Sequence, residues 1–375
     1  MPNKALQLLQ LVRSTKRERQ LGTLIFFVTS RCNAFCRTCF YHEALNQAGD
    51  LTFAEIKKIS RTMPAITDLW LSGGEPTLRR DVADIIDAFV VNNGVRRVII
   101  PTNGLIKSRV YEIVERTLAK HPQLDLYLNI ALDGYGEMHD RIRGVPGNWR
   151  RALSCIESLY ALKEKFTHRF RLNVNTVICA ENYHEMEPLS RFLWENYRLD
   201  GHYFNIVRGL TKAGDEIKRV PPEILPAIYE RAARLTKRYA DRMFAEDNAS
   251  TRFIKTIAYV GAIMTHYRTQ HANFTEEEPS AWPFPCTAAE TSLVIDYNGD
   301  VRACELREKF ASLRDYDFDF GALWKAQERQ HELEQIDEGR ACWCTHVCFI
   351  HDSMRHSRRA LLYEVPKNYL MRERW

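Results

Sequence analysis

The stretch Leu24-Ile25-Phe26-Phe27-Val28-Thr29-Ser30-Arg31-Cys32-Asn33-Ala34-Phe35-Cys36-Arg37-Thr38-Cys39 decides how the rest of the chain is read. Leu24 to Thr29 is a β-branched and aromatic run, a strand signal. Three cysteines then fall in a short loop with Arg31, Asn33 and Arg37. Further strand signals follow at Ile66 to Leu71, Arg97 to Pro101, Leu124 to Leu132, Arg169 to Ile178 and His202 to Val207. Amphipathic helical patterns separate them, at Phe53 to Met63, Asp81 to Asn93, Ser108 to Lys120, Trp149 to Phe166 and Tyr183 to Tyr197. This alternation predicts an α/β fold, a partial (β/α)6 TIM-like barrel, with the cysteine loop at the carboxyl end of its first strand. In α/β barrels that end carries the chemistry.

The remaining chain divides by composition. Residues 1–22 read as an amphipathic N-terminal helix, 23–214 as the barrel and 215–280 as a helical connector interrupted near Asp247 to Ser250. Residues 281–350 read as a small cysteine-rich domain and 351–375 as a basic tail. Ser292 to Asp296 and Val301 to Cys304 flank Tyr297-Asn298-Gly299-Asp300, a hairpin signal. A net charge of +5 against 53 basic and 48 acidic residues gives no ground to expect nucleic acid. No apolar run approaches the roughly 20 residues a membrane span needs, and no signal peptide is evident, so a cytoplasmic, soluble protein is expected. Ten cysteines in such a chain suit reduced thiols or metal ligands better than disulfides. Cys155 and Cys179, alone in apolar surroundings, are expected in the core.

Cys32, Cys36 and Cys39 are able to hold three corners of an iron–sulfur cubane. The fourth iron then keeps a position for a small molecule, as open catalytic metal sites do. A structural zinc site formed with His42 is the alternative. The spacing Cys32-Asn-Ala-Phe-Cys36-Arg-Thr-Cys39 resembles the CxxxCxxC hallmark of the radical S-adenosylmethionine (radical SAM) superfamily. Thr38 stands where that family usually has an aromatic residue, and Phe40 and Tyr41 follow instead.

The resemblance extends to the other strand ends. Gly73-Gly74-Glu75-Pro76 matches the segment that binds the methionine amino group, which implies cofactor contacts for all four residues. Asn103 and Asp133 end the third and fourth strand signals, and Asp133 opens a stretch running through His139-Asp140 to Arg143-Gly144. That stretch resembles one in the peptide-modifying branch of the family, with Ala131 in place of its serine. Turn or cap roles are the alternative for Asn103 and Asp133. Asn173 and Asn175 share one face of the fifth strand, and Asn175 is placed among the cofactor contacts. Asn205, Val207 and Arg208 match the region that meets adenine, and Arg143 or Arg208 is expected to pair with the cofactor carboxylate.

Cys286, Gly299 and Cys304, followed by Cys342, Cys344 and Cys348, resemble the SPASM or twitch extension of the same superfamily. That implies one auxiliary [4Fe-4S] cluster with one thiol to spare, His346 as a substitute ligand, or a zinc ribbon instead. The resemblance as a whole implies an enzyme that cleaves S-adenosylmethionine reductively to a 5′-deoxyadenosyl radical. The radical would abstract hydrogen from a peptide, small-molecule or lipid substrate, with electrons from a flavodoxin or ferredoxin and the auxiliary cluster taking one back. An epimerase or mutase that regenerates the cofactor is the first alternative, and a non-catalytic zinc-pinned binding protein the second. No leader-peptide-binding domain is expected before residue 24. The basic ends, Arg13, Lys16, Arg17 and Arg19 with Arg355, Arg358, Arg359, Arg372 and Arg374, read as a solvated face, with peripheral contact to an anionic membrane as the alternative.

Overall fold

The computed structural model describes residues 20–275, 282–338 and 344–374. The expected N-terminal helix and Cys342 lie outside the described residues. Six parallel strands run in sequence order: β1 (Thr23–Thr29), β2 (Asp68–Gly73), β3 (Arg97–Thr102), β4 (Asp125–Ala131), β5 (Phe170–Ile178) and β6 (Gly201–Ile206). A short antiparallel ribbon, β7 (Ser292–Ile295), β8 (Asp300–Arg302) and β9 (Lys309–Ser312), continues the sheet beyond β1, in the order β6-β5-β4-β3-β2-β1-β7-β8-β9. With strands on both sides, β1 is buried along its whole length, as its uninterrupted apolar sequence requires.

The helices that connect the strands are α1 (Phe53–Thr62), α2 (Val82–Asn93), α3 (Lys107–Lys120), α4 (Glu137–Arg143), α5 (Asn148–Ser158), α6 (Tyr160–Lys165) and α7 (Met186–Asn196). Along β4 burial alternates strictly: Leu126, Leu128 and Ile130 are buried, whereas Tyr127, Asn129 and Ala131 face the opposite, more open side. The α/β expectation holds, and the six strands match the sequence signals to within two residues at each end. Cys155 and Cys179 are fully buried.

Three elements differ from the sequence reading. The single helix expected over Trp149 to Phe166 breaks at Leu159, where Ser158 Oγ donates to the Cys155 carbonyl at 2.7 Å and competes with the helix ladder. Helix α4 was not expected, because its seven residues between glycines hold only two apolar side chains, Met138 and Ile142, too few to set a helical period. The ribbon's third strand, β9, was missed as well, being four residues long with no buried face to give it a period.

The described chain forms two compact units, one of residues 22–221 with 293–330, the other of residues 20–21, 222–292 and 331–374. The second contains α8 (Leu225–Met243), α9 (Ala249–Thr275), α10 (Val347–Arg355) and α11 (Val365–Leu370). Its core stacks Tyr229 on Tyr267 at 4.8 Å between centroids, and the Asn368 amide donates to Thr265 Oγ1 at 3.0 Å. None of the described helices is long and apolar enough to cross a membrane.

The junction of α1 and α2 depends on one side chain. The buried Asn93 amide donates to the carbonyls of Ser60 (2.9 Å), Met63 (2.8 Å) and Pro64 (3.1 Å), where α1 has just ended. Asn93→Leu strands the buried Ser60 and Met63 carbonyls without water and should cost about 2–3 kcal/mol. A urea unfolding series checks this through a lower midpoint at unchanged slope.

Candidate functional site

The strand ends of β1 to β5 build the site from main-chain contacts first. Gly74 N–H donates to the Thr29 carbonyl and Glu75 N–H to the Arg31 carbonyl, both at 2.8 Å, which ties the loop after β2 to the cysteine loop after β1. A Cβ on Gly74 would lie 2.1 Å from the Arg31 oxygen, so only glycine permits this approach. What comes close to the Gly-Gly pair is therefore the cysteine loop itself. On its other side that loop is held by α4: Phe35 N–H donates to Arg143 O at 3.0 Å and Arg37 N–H to Ile142 O at 2.8 Å. Gly144, at φ 63°, ends α4 where a Cβ would meet Phe35 O at 2.6 Å. The Asn46 side chain accepts from Cys32 N–H at 3.0 Å, and Cys39 O accepts from Lys212 N–H at 3.1 Å.

Glu75 is buried and surrounded by donors. Its Oε1 accepts from Thr77 N–H (3.2 Å), Thr77 Oγ1 (2.5 Å) and Thr102 Oγ1 (2.8 Å), and its Oε2 from Asn103 N–H (2.7 Å). Burial raises its pKa against the pull of these bonds. Pro76 opens the 3-10 turn Pro76–Leu78 behind it. The Asn103 amide donates to Asn33 Oδ1 at 2.8 Å, and Asn148 Nδ2 to the Asn103 carbonyl at 3.0 Å.

Asp133 is fully buried and joins three segments. Its Oδ1 accepts from Val177 N–H (2.8 Å), its Oδ2 from Arg143 (3.1 Å) and its carbonyl from the Asn182 amide (2.6 Å). Its N–H donates to His139 Nδ1 at 3.0 Å. Burial, helped by Arg143, pushes the His139 pKa down to about 3, so the ring is neutral and its Nδ1 accepts. Asn182 also donates to Val177 O (2.8 Å) and accepts from Cys179 N–H (2.7 Å). Thr77 and Asn182 were not singled out in the sequence, and Thr102 and His139 stood there only within quoted motifs, with no role of their own. Only Asn182 carried a local signal, an asparagine just past the end of the strand.

The three cysteines are free thiols. Burial pushes Cys32 up to about 12 and Cys39 up to about 11, and raises Cys36 as well, while Arg143 pulls all three down. Burial also opposes the charge on Arg143, but Cys36, Asp133 and Cys32 outweigh it and hold the guanidinium above its usual value. Thiols, carboxylates and guanidinium thus lie within one another's electrostatic reach. Arg143 Nε is buried with no hydrogen-bond partner. His42 turns Nδ1 to the Cys39 carbonyl at 3.1 Å. Tyr41 packs on Phe27 and donates to Asp296 at 3.1 Å, while Arg208 lies over the Phe40 ring. Deeper in the barrel, Asn173 donates to Asn129 at 3.1 Å and Asn205 to Asn175 at 2.6 Å, so Asn175 sits in an amide ladder.

Of the later cysteines, Cys286, Cys344 and Cys348 belong to the second unit, and Cys304 to the first, on the segment after β8. Trp282 Nε1 donates to Cys344 O at 3.0 Å and Gln270 Nε2 to Thr345 O at 2.7 Å. Cys344 Sγ accepts from His346 N–H at 3.3 Å. His346 Nδ1 accepts from Cys348 N–H at 3.2 Å and so caps α10.

Residues 26–193 match the family model described as the Radical SAM superfamily. That stretch, somewhat under half of the chain, is similar to the radical SAM superfamily. The chain is 33% identical over 208 residues to a Methanosarcina barkeri protein named AdoMet-dependent heme synthase, covering 54% of each chain. It is 30% identical over 164 residues to the Fe-coproporphyrin III synthase of the same organism, covering 41% of this chain and 38% of that protein. The chain thus spans about half or less of the curated relatives it matches. Its fold is similar to that of Streptococcus suis SuiB bound to the precursor peptide SuiA, with a TM-score of 0.57 at 16% identity over 96% of this chain and 79% of that one. It is also similar to anSMEcpe with bound AdoMet and Cp18Cys peptide, with a TM-score of 0.56 at 14% identity over 94% and 95% of the two chains.

The residues fit the cluster and cofactor this family implies. Arg143 lies within electrostatic reach of all three half-buried thiols and keeps an unpartnered Nε, and Glu75, whose Oε2 has accepted a single bond, is in electrostatic reach of Cys32 and Cys36. In metal-free protein the raised thiol pKa values make alkylation slow at neutral pH. For Cys32 and Cys39, mapped by mass spectrometry after iodoacetamide, the rate should climb about tenfold per pH unit and level off only near pH 11–12. A plateau near pH 9 would contradict the burial argument.

Proposed function

We propose that this chain is a radical SAM enzyme in which Cys32, Cys36 and Cys39 hold a [4Fe-4S] cluster and the surrounding strand ends hold S-adenosylmethionine. The carrying observation is that backbone bonds hold the cysteine loop against the Gly74-Glu75 segment on one side and against Arg143 on the other, with Arg143 in electrostatic reach of all three thiols. Three protein ligands leave one iron of a cubane for the cofactor. When bound, the pair supplies a carbon radical strong enough to remove hydrogen from an unactivated C–H bond.

The chain's own part is to bind, orient and exclude water. Glu75 Oε2 is the acceptor for the methionine ammonium, its geometry fixed by Thr77, Thr102 and the Asn103 N–H. Arg143 has one arm fixed on Asp133 and a free Nε to offer a carboxylate. The Gly73-Gly74-Glu75-Pro76 segment lies against the cysteine loop, which supports placing the amino-acid end of the cofactor there. Asn103 and Asp133 flank that position, and Asn175, deeper in the barrel, is the proposed polar contact for the rest of the cofactor.

A second cluster, with Cys286, Cys344 and Cys348 among its ligands, is part of the reading, as a SPASM or twitch-like centre that takes up the electron released on substrate oxidation. The substrate is a peptide, a small molecule such as a tetrapyrrole, or a lipid. The names of the 33% and 30% identical relatives support testing an iron coproporphyrin first.

Anaerobic reconstitution tests the core of this. About eight iron per chain are expected for two cubanes, with 5′-deoxyadenosine formed on adding dithionite and S-adenosylmethionine. Cys36→Ala should abolish that product, and protein that takes up zinc but no iron would overturn the reading. Arg143→Lys keeps the charge but loses the fork, so it should retain its iron while raising half-saturation by S-adenosylmethionine about tenfold, read from 5′-deoxyadenosine formation.

A further inference from the structure

The buried polar residues at one end of the second unit form a connected group that borders two of its cysteines. Thr287 follows Cys286 and is buried. Its N–H donates to Ser353 Oγ at 3.0 Å and its hydroxyl to Asp352 Oδ2 at 3.1 Å. Thr291 Oγ1 donates to the same carboxylate oxygen at 2.5 Å, and Ala289 N–H donates to Ser292 O at 2.8 Å, closing the turn that follows Cys286. Asp352 and Ser353 belong to α10, and Asp352 lies four residues after Cys348, one turn along the same face. The chain just beyond Cys286 is thereby fastened to the helix that carries Cys348.

Stability alone is a poor reason for this arrangement. Burying a carboxylate is expensive, and an apolar side chain of similar volume packs such a position without that cost. A charge-assisted network does supply directional bonds that hold two backbone segments at one separation. A metal centre needs this, because ligand atoms must stand at fixed distances and their supporting residues set them.

We propose that Thr287, Thr291, Asp352 and Ser353 are positioning residues that set Cys286 relative to Cys348 as ligands of the second iron–sulfur cluster; this rests on the cluster reading given above. The network holds the two thiols in place before iron arrives.

The test uses the full chain with Cys32, Cys36 and Cys39 changed to Ala, so that only a second cluster is read. After anaerobic reconstitution, iron, sulfide, the electron paramagnetic resonance signal after reduction and the midpoint potential are measured. About four iron per chain are expected with Asp352 intact. Asp352→Asn, whose amide oxygen can still accept from both hydroxyls, should keep that iron with a shifted potential. Asp352→Leu should lose at least half of it while still melting cooperatively. Full iron with an unchanged signal and potential in Asp352→Leu overturns the proposal. If Asp352→Leu does not melt cooperatively, the pair Thr287→Val with Thr291→Val decides by the same criterion. A parent without iron overturns the second-cluster reading itself, and the positioning role falls with it.

Discussion

The site depends on the backbone contact between the ends of β1 and β2. Gly74 and Glu75 donate to the carbonyls of Thr29 and Arg31, and the Gly74 Cα lies where any side chain would collide with the cysteine loop. This contact fixes the direction in which the loop leaves the sheet and carries Glu75 to the same place. Parallel neighbours need no side-chain chemistry to do this, because register alone aligns their carboxyl ends. Removing the contact would separate the thiols from the carboxylate without altering either.

Asp133 braces the opposite side. It binds β5 through Val177, the loop after β5 through Asn182, and α4 through Arg143, while α4 in turn accepts from the cysteine loop at Ile142 and Arg143. The cysteine loop is thus held between two supports, through main-chain bonds at Arg31, Phe35 and Arg37 and through side chains at Asn33 and Arg37, with no bond to a cysteine side chain among them. Leaving the cysteine side chains out of the bracing keeps them available as ligands. Arg143 serves both purposes, since its carbonyl holds Phe35 and its guanidinium faces the thiols.

The barrel was legible because its strands are apolar runs and its helices amphipathic, and both periods survive in the sequence. The cysteine loop, Glu75, Asn103 and Asp133 were legible because each ends a strand. Thr77, Thr102, His139 and Asn182 were not, because a buried hydroxyl or ring that holds a neighbour's carboxylate or N–H leaves no periodic trace. Helix α4 was hidden for a related reason. Its stability comes from tertiary contacts, with His139 and Ile142 buried, Met138 packed beside Ile142 and the other four residues charged, so local propensity gave no hint of it. Likewise, the glycines of the loop after β2 drew attention as a ligand approach, whereas their first steric demand comes from Arg31.

The electrostatics of the three thiols explain why the site needs its supports. Burial raises Cys32, Cys36 and Cys39 above the ordinary thiol value, so the metal-free fold keeps them protonated. A folded pKa above the unfolded one gives stability that is present below about pH 9 and is lost as pH rises through about 11 to 12. At neutral pH the three thiols therefore do not repel one another. Metal binding must then remove protons from buried groups, a cost offset by the charge of the metal centre and by Arg143. Arg143 alone is insufficient, since Asp133 already claims one arm and the thiols stay high despite it.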